Sequence, residues 1–424
     1  MGVILCQTPA PTCATGPIFV WSATSDTKLP VPLSVSVTPD NVLNVSPNPA
    51  VPLSVVASER GMSYATLPAL RTGLFGTRTN TLITLAMLLV LSQVMPPFLR
   101  WAVLDATFSG NAEACSREGA CWAFVTAKLR FILFAFYPPE LQWRPSLVIV
   151  LLGAILAASA LPRFWGRTLL VAWPLTILAC WLLMQGAFTA TPIPSNQWGG
   201  LPVTLFVWAV CFAAATPIAV LLALARHSTL GGLRTFSILY IELMRGTPMV
   251  AILYVAMLIL PMALPDGLSF DKMLRAILMV TLFWAAYIAE VIRAGLQAIP
   301  NGQTEAATAL GLDYWRTQRL VILPQALRIV IPGMVNLAIG FLLATSLLAV
   351  IGIFDLLNAA RASAADPQWL GFYNEAYIVV AVIYFVICFG ASRYSRWLER
   401  RLAGGKEGSA SAPAGGPSPA LRKE

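Results

Sequence analysis

The chain has 424 residues, of which 58% are hydrophobic and only 11% charged, and its mean hydropathy is +0.74. That balance excludes an ordinary soluble domain and points to a lipid-embedded protein. The formal charge of +9 is broken into short clusters between apolar runs, which excludes a continuous basic stripe for nucleic acid.

In chain order, residues 1–61, rich in Pro, Val, Ser and Thr, show no sustained helical or alternating period and no secretory-signal pattern. They are expected to be unstructured, and two readings of them stay open, a natural extension or a mis-assigned one, because Met62 opens a more conventional start, MSYATLPALRTGLFGTRTN. About eight apolar segments follow, near 81–103, 145–161, 168–187, 201–225, 236–262, 273–295, 329–352 and 376–397. Each approaches the roughly 20 residues a spanning helix needs to satisfy its backbone inside hydrocarbon. Beyond 402, AGGKEGSASAPAGGPSPALRKE has the composition of a disordered tail. The fold class predicted is an all-α integral membrane protein with about eight transmembrane helices.

Arginines collect in alternate connections: Arg71 and Arg78; Arg163 and Arg167; Arg226 and Arg234; Arg293, Arg316, Arg319 and Arg328; Arg393, Arg396, Arg400 and Arg401. The other connections are mixed or uncharged, so the pattern predicts that both termini are cytoplasmic. In the first outer loop, EACSREGACW places Cys115 and Cys121 in a compartment where disulfides persist, and two readings stay open: a small bridged loop or two free thiols. Cys180, Cys211 and Cys388 fall in apolar runs and read as packing residues. His227 is the only histidine and no CxxC occurs, so no Cys/His metal set is expected; His227 itself reads as a solvated loop residue.

Residues 305–324, EAATALGLDYWRTQRLVILP, lie in one of the arginine-rich connections. A short helix can end at Gly311, where a left-handed turn carries no Cβ strain, and Asp313 can cap a second helix. The stretch resembles the EAA motif of ABC importer permeases: Glu305, Ala306, Ala307, Gly311, Leu323 and Pro324 match, with Val321 at the usual Ile position. YIELMRGTPM (240–249) and TSLLAVIGIFDLL (345–357) extend a resemblance to polar amino-acid permeases over about 201–402. The three-span extension before it, about 62–200, is similar to the M-type membrane subunit of general L-amino-acid transporters. Members of the family commonly carry Lys-Asp just before the Thr-Ser-Leu of 345–347, where this chain has Leu343 and Ala344.

The resemblance implies a type I ABC importer permease fold in the last five helices and a location in a bacterial inner membrane. It also implies an ABC ATPase partner, a second permease subunit that is either a copy or a sister chain, and a periplasmic amino-acid-binding protein. The chain has no GxxxxGK[ST], so ATP and Mg belong to the ATPase and no cofactor is expected on this chain. Polar residues inside spans, Glu242, Arg245, Glu290, Asn336, Thr345 and Ser346, are candidates for the translocation path, with helix-to-helix hydrogen bonding as the alternative. Glu242 and Arg245, three apart on one helical face, are within reach of each other for a pair. A self-sufficient ion-coupled transporter would show internal repeats, and an intramembrane enzyme would need facing aspartates or a histidine in a span; neither signature is present.

Overall fold

A computed structural model of the chain describes residues 18–19, 32–37, 43–47, 74–115, 118–164, 166–187, 190–265 and 270–407. Contacts divide it into two units, Met1–Leu91 and Ser92–Glu424. In the first, where the sequence predicts no element, three short strands form an antiparallel sheet in the order β1 (Ile18–Phe19), β2 (Pro32–Val37), β3 (Leu43–Pro47). Val35 faces Val45 across the ladder. Leu33, Val35 and Val37 do alternate with Ser34 and Ser36, but over too few residues to register as a sustained period. Met62 and residues 408–424 lie outside the described residues.

A long apolar helix, α1 (Arg78–Leu99), runs across the division between the units and continues as a π turn over Arg100–Leu104. Its start is fixed by Thr77, whose Oγ1 accepts from the Asn80 amide at 3.1 Å. The second unit then holds α2 (Trp122–Phe134), α3 (Trp143–Ala160), α4 (Arg167–Gln185) and α5 (Gly200–Arg226). After these come α6 (Gly231–Gly246) and α7 (Met249–Ala263), then α8 (Lys272–Gln297). The chain ends with α9 (Asn301–Ala309), α10 (Tyr314–Thr317), α11 (Leu323–Ala344), α12 (Leu356–Ala364) and α13 (Tyr373–Glu407). Helix α13 therefore runs past residue 402, where the sequence places the start of a disordered tail.

Among the described residues seven helices are long and apolar enough to cross a membrane, and the count reaches eight if a bent pair is one span. That pair corrects the single helix expected over 236–262. Helices α6 and α7 meet at 102°. The cause is Pro248, which has no amide hydrogen and pushes Thr247 into extended backbone (φ −99°, ψ 135°). Arg245, Gly246 and Thr247 then supply a polar corner that an averaged hydropathy does not resolve.

The core centres on α5 and α8. Small residues Ala209, Ala215, Ala219 and Ala223 of α5 and Ala276, Ala285, Ala286 and Ala289 of α8 are all buried in the shared core, and Cys211 Sγ reaches Ile277 O at 3.5 Å, so the two helices pack closely. Helix α11 crosses α8 at Gly295, where a Cβ would stand 2.4 Å from Val330 Cγ1 and 2.8 Å from Ala326 O. Only glycine fits that crossing. Cys180 and Cys211 are buried packing residues.

The bundle has two distinguishable ends. At one, Ser195 Oγ donates to Asp271 Oδ2 (2.8 Å), Lys272 Nζ donates to Gly352 O (2.9 Å), and Gly199 and Gly200 bridge to Phe354 and Asp355. At the other, Arg226 at the end of α5 meets Glu290 near the end of α8. Within this unit, that second end carries the arginine-rich connections around Arg163 and Arg167, Arg226 and Arg234, and Arg293 to Arg328.

Candidate functional site

The stretch from Asn301 to Thr317 forms a helix-turn-helix at the arginine-rich end. Helix α9 starts after Pro300 and closes at Gly311, whose φ is +75° and whose amide donates to Thr308 O at 2.9 Å. The Leu312 amide reaches back to Ala307 O (3.1 Å), the wrapped ending that a left-handed residue permits. Asp313 then caps α10 by accepting from the Arg316 amide at 2.7 Å. The next five residues, Gln318–Ile322, form a π turn that leads into α11 at Leu323 and Pro324, where proline needs no amide partner.

The six motif residues divide by exposure. Ala307 is buried, packing the first helix onto its base, while Glu305, Ala306 and Gly311 face outward. Leu323 is half-buried and Pro324 exposed at the root of α11. Gln325 Nε2 donates to Gln303 Oε1 at 3.1 Å, tying the projection to α11. Around the tip, Leu310 is 80% exposed and Trp315 67%, with Tyr314 and Leu320 also open. An exposed carboxylate, two small residues and a rim of large apolar side chains together form a surface suited to a protein partner.

Behind the projection lies a charged network that joins three helices. Arg226 contacts Glu242 Oε1 and Glu290 Oε2, each at 3.3 Å; Arg245 contacts Glu290 Oε2 at 3.7 Å; Arg293 also holds Glu290. The Glu242–Arg245 pair that the spacing allows is not formed: the two residues sit on one helix but bond to different neighbours. Arg226, sixteen residues from Glu242, offers a closer opposite charge than its own helix does. Two of the network's members, Arg226 and Arg293, were not singled out from the sequence, because both read there as orientation charges.

The other candidate path residues are dispersed. Asn336 is exposed along α11. Thr345 is buried, its hydroxyl donating to Leu342 O at 2.6 Å, and Ser346 donates to Leu343 O at 2.8 Å. Both hydroxyls serve the change from α-helix to the tighter 3₁₀ turn of Thr345–Ile351.

At the opposite end, the loop after α1 contains more order than its mixed composition indicates. Cys115 and Cys121 are joined by a disulfide with Cα atoms 5.5 Å apart. Helix α2 then lies against α12, with Phe124 beside Trp369 and Phe372 at ring distances of 5.9 and 6.0 Å. The buried Glu375 accepts from the Cys121 amide at 2.9 Å.

A polytopic helical membrane protein with an exposed helix-turn-helix projection at one end of its bundle is what this fold and site define. Residues 215–404 match the family described as binding-protein-dependent transport system inner membrane component. The inner membrane amino-acid ABC transporter permease protein YhdY of Escherichia coli K12 is 41% identical over 345 residues, covering 79% of this chain and 93% of that protein. The glutamate/glutamine/aspartate/asparagine transport system permease protein BztC of Rhodobacter capsulatus is 36% identical, over 84% of this chain and 96% of its own. A crystal structure of an amino acid ABC transporter with histidines is 31% identical over 48% of this chain and 92% of its own, with a TM-score of 0.43. The chain belongs to the amino-acid ABC transporter permeases, multi-pass inner-membrane transport subunits rather than enzymes, and that membership implies an ATPase and a substrate-binding partner.

Proposed function

We propose that this chain forms half of the translocation path of an importer that carries L-amino acids inward across a bacterial inner membrane. The observation that carries the reading is the 301–317 projection, with Glu305, Leu310 and Trp315 presented outward in a chain without a phosphate-binding loop. An ATPase subunit, holding ATP and Mg, docks on that projection. Its closing and opening pull on α9, and the Gln303–Gln325 bond passes the movement to α11. A second permease subunit, a sister chain or a copy, completes the pore, and a periplasmic amino-acid-binding protein delivers the substrate to the other end. Both termini are then cytoplasmic, the permease domain is 201–402, and 62–200 is a three-span extension, with α2 as a fourth, shorter helix, and a periplasmic loop.

Glu242, Arg245 and Glu290 stand near the inner mouth of such a path, with Asn336 on α11 and Thr345 and Ser346 in the 3₁₀ turn that follows it. Support for the substrate class comes from the two long relatives, whose names state amino-acid transport. The test is uptake into vesicles containing the assembled complex. Uptake of labelled L-amino acids that requires ATP and the binding protein is expected; uptake driven by a proton or sodium gradient without the ATPase would refute the reading.

A further inference from the structure

Helices α4 and α11 both pack on α5 but leave an open cleft between themselves near the arginine-rich end. The cleft is about 350 Å³ and is lined by Gly166, Leu169, Leu170 and Trp173 on the α4 side and by Ile331 of α11. Its walls are apolar. The one polar atom among those side chains, Trp173 Nε1, is already committed to Ser159 Oγ at 3.0 Å. Leu170 is 76% exposed, so the cleft opens sideways into the hydrocarbon rather than into the bundle.

Three arginines adjoin the lining residues along the chain on the side of the arginine-rich end. Arg167 follows Gly166 directly at the start of α4, Arg163 lies in the short turn Pro162–Phe164 before it, and Arg328 is one turn before Ile331 on α11. All three are exposed, and among the described residues none has a carboxylate within ion-pair distance. They differ in this from Arg226, Arg245 and Arg293 at the same end, each of which lies within ion-pair distance of Glu242 or Glu290. A guanidinium presents two parallel donors that match a phosphate, and it sits at headgroup depth when its helix begins at the interface. An apolar cleft between spanning helices with such cations adjoining it along the chain has the chemistry of an anionic phospholipid site.

We propose that this cleft binds an anionic phospholipid, with an acyl chain along Leu169, Trp173 and Ile331 and the phosphate held by Arg163, Arg167 and Arg328. The bound lipid fills the gap between the extension and the permease helices and so joins α4 to α11. The site uses none of the residues of the coupling projection or the charged network, and it stands whether or not the transport reading does.

The test uses the purified full chain in vesicles of phosphatidylethanolamine doped with phosphatidylglycerol, each lipid in turn carrying a photoactivatable acyl chain. Cross-links are mapped by mass spectrometry. Phosphatidylglycerol is expected to label 166–173 and the neighbourhood of Ile331 in excess of phosphatidylethanolamine, and the excess should fall about fivefold for each arginine replaced by glutamine. Labelling by phosphatidylethanolamine serves as the internal measure that each variant is folded and inserted, and it should not change. Equal labelling by the two lipids, or an excess that survives the combined Arg163→Gln, Arg167→Gln and Arg328→Gln substitutions, would overturn the proposal. So would loss of the excess on adding inorganic phosphate, which would mark a site for the free anion and not for lipid.

Discussion

Lys128 Nζ lies 2.7 Å from Asp366 Oδ2, a tether between α2 of the extension and the connection that joins α12 to α13. The same two regions share the Phe124, Trp369 and Phe372 cluster and the bond from the Cys121 amide to Glu375. Lys128 holds the Asp366 carboxyl below its ordinary 3.8, with help from the Gln368 amide. The tether is therefore present above that value and is lost as the pH falls through the lowered pKa.

Lys128→Glu should lower the thermal unfolding midpoint of the detergent-solubilised chain at neutral pH, and Lys128→Glu with Asp366→Lys should recover most of the loss. The effect is small, since both side chains reach solvent. A double variant no better than the single one would show that the contact contributes nothing.

Asp355 carries the opposite dependence. It is fully buried, and although its carboxylate accepts from the Leu357 and Asn358 amides at 3.1 Å, burial raises its pKa from 3.8 to about 6. Between those values the folded chain holds a proton that the unfolded chain has released, so stability contributed here falls as pH rises from about 4 to about 6. The difference is of the order of 3 kcal/mol at most. Asp355→Asn keeps a capping acceptor without the charge, so its midpoint should change less than the wild-type's between about pH 5 and about pH 8 and should exceed it at the higher pH. An asparagine variant weaker at every pH would contradict this account.

Leu343 is 48% exposed near the end of α11, just before the 3₁₀ turn, where the resemblance to polar amino-acid permeases implies Lys-Asp in place of Leu343 and Ala344. If that face borders the path, Leu343→Lys with Ala344→Asp should alter the range of amino acids transported, or ATP hydrolysis without substrate, in a variant inserted at normal level. An unchanged profile would make the position ordinary packing.

The spans were legible because each needs a near-uninterrupted apolar run, and the projection was legible because Gly311 and Asp313 carry their conformational roles in their own chemistry and Glu305, Ala306 and Ala307 complete a known pattern beside them. The break between α6 and α7 was signalled only by Pro248 and its polar approach, which an apolar average across 236–262 conceals. The charged network was hidden for another reason. Glu290 finds Arg226 across 64 residues, and no local spacing rule reaches that far. Helix α2 was hidden as well, since Lys128 and Arg130 interrupt its apolar run and it gains its partners, Leu356, Ala360 and Trp369, from the far end of the chain.

The central claim is that the 301–317 projection couples a separate ATPase to transport, and Gly311 tests it most directly. No atom lies within 4 Å of where its Cβ would stand, so a substitution there acts through the backbone alone. At φ +75° a β-branched residue is strained by roughly 1 to 3 kcal/mol, whereas asparagine tolerates the conformation. The measurement is ATP-dependent amino-acid uptake, together with retention of the ATPase on the purified membrane subunits, for Gly311→Val, Gly311→Asn and Glu305→Lys at equal membrane levels. Gly311→Val and Glu305→Lys should lose uptake and shed or uncouple the ATPase, while Gly311→Asn keeps most of both. Wild-type uptake and ATPase retention in Gly311→Val and Glu305→Lys would contradict the account.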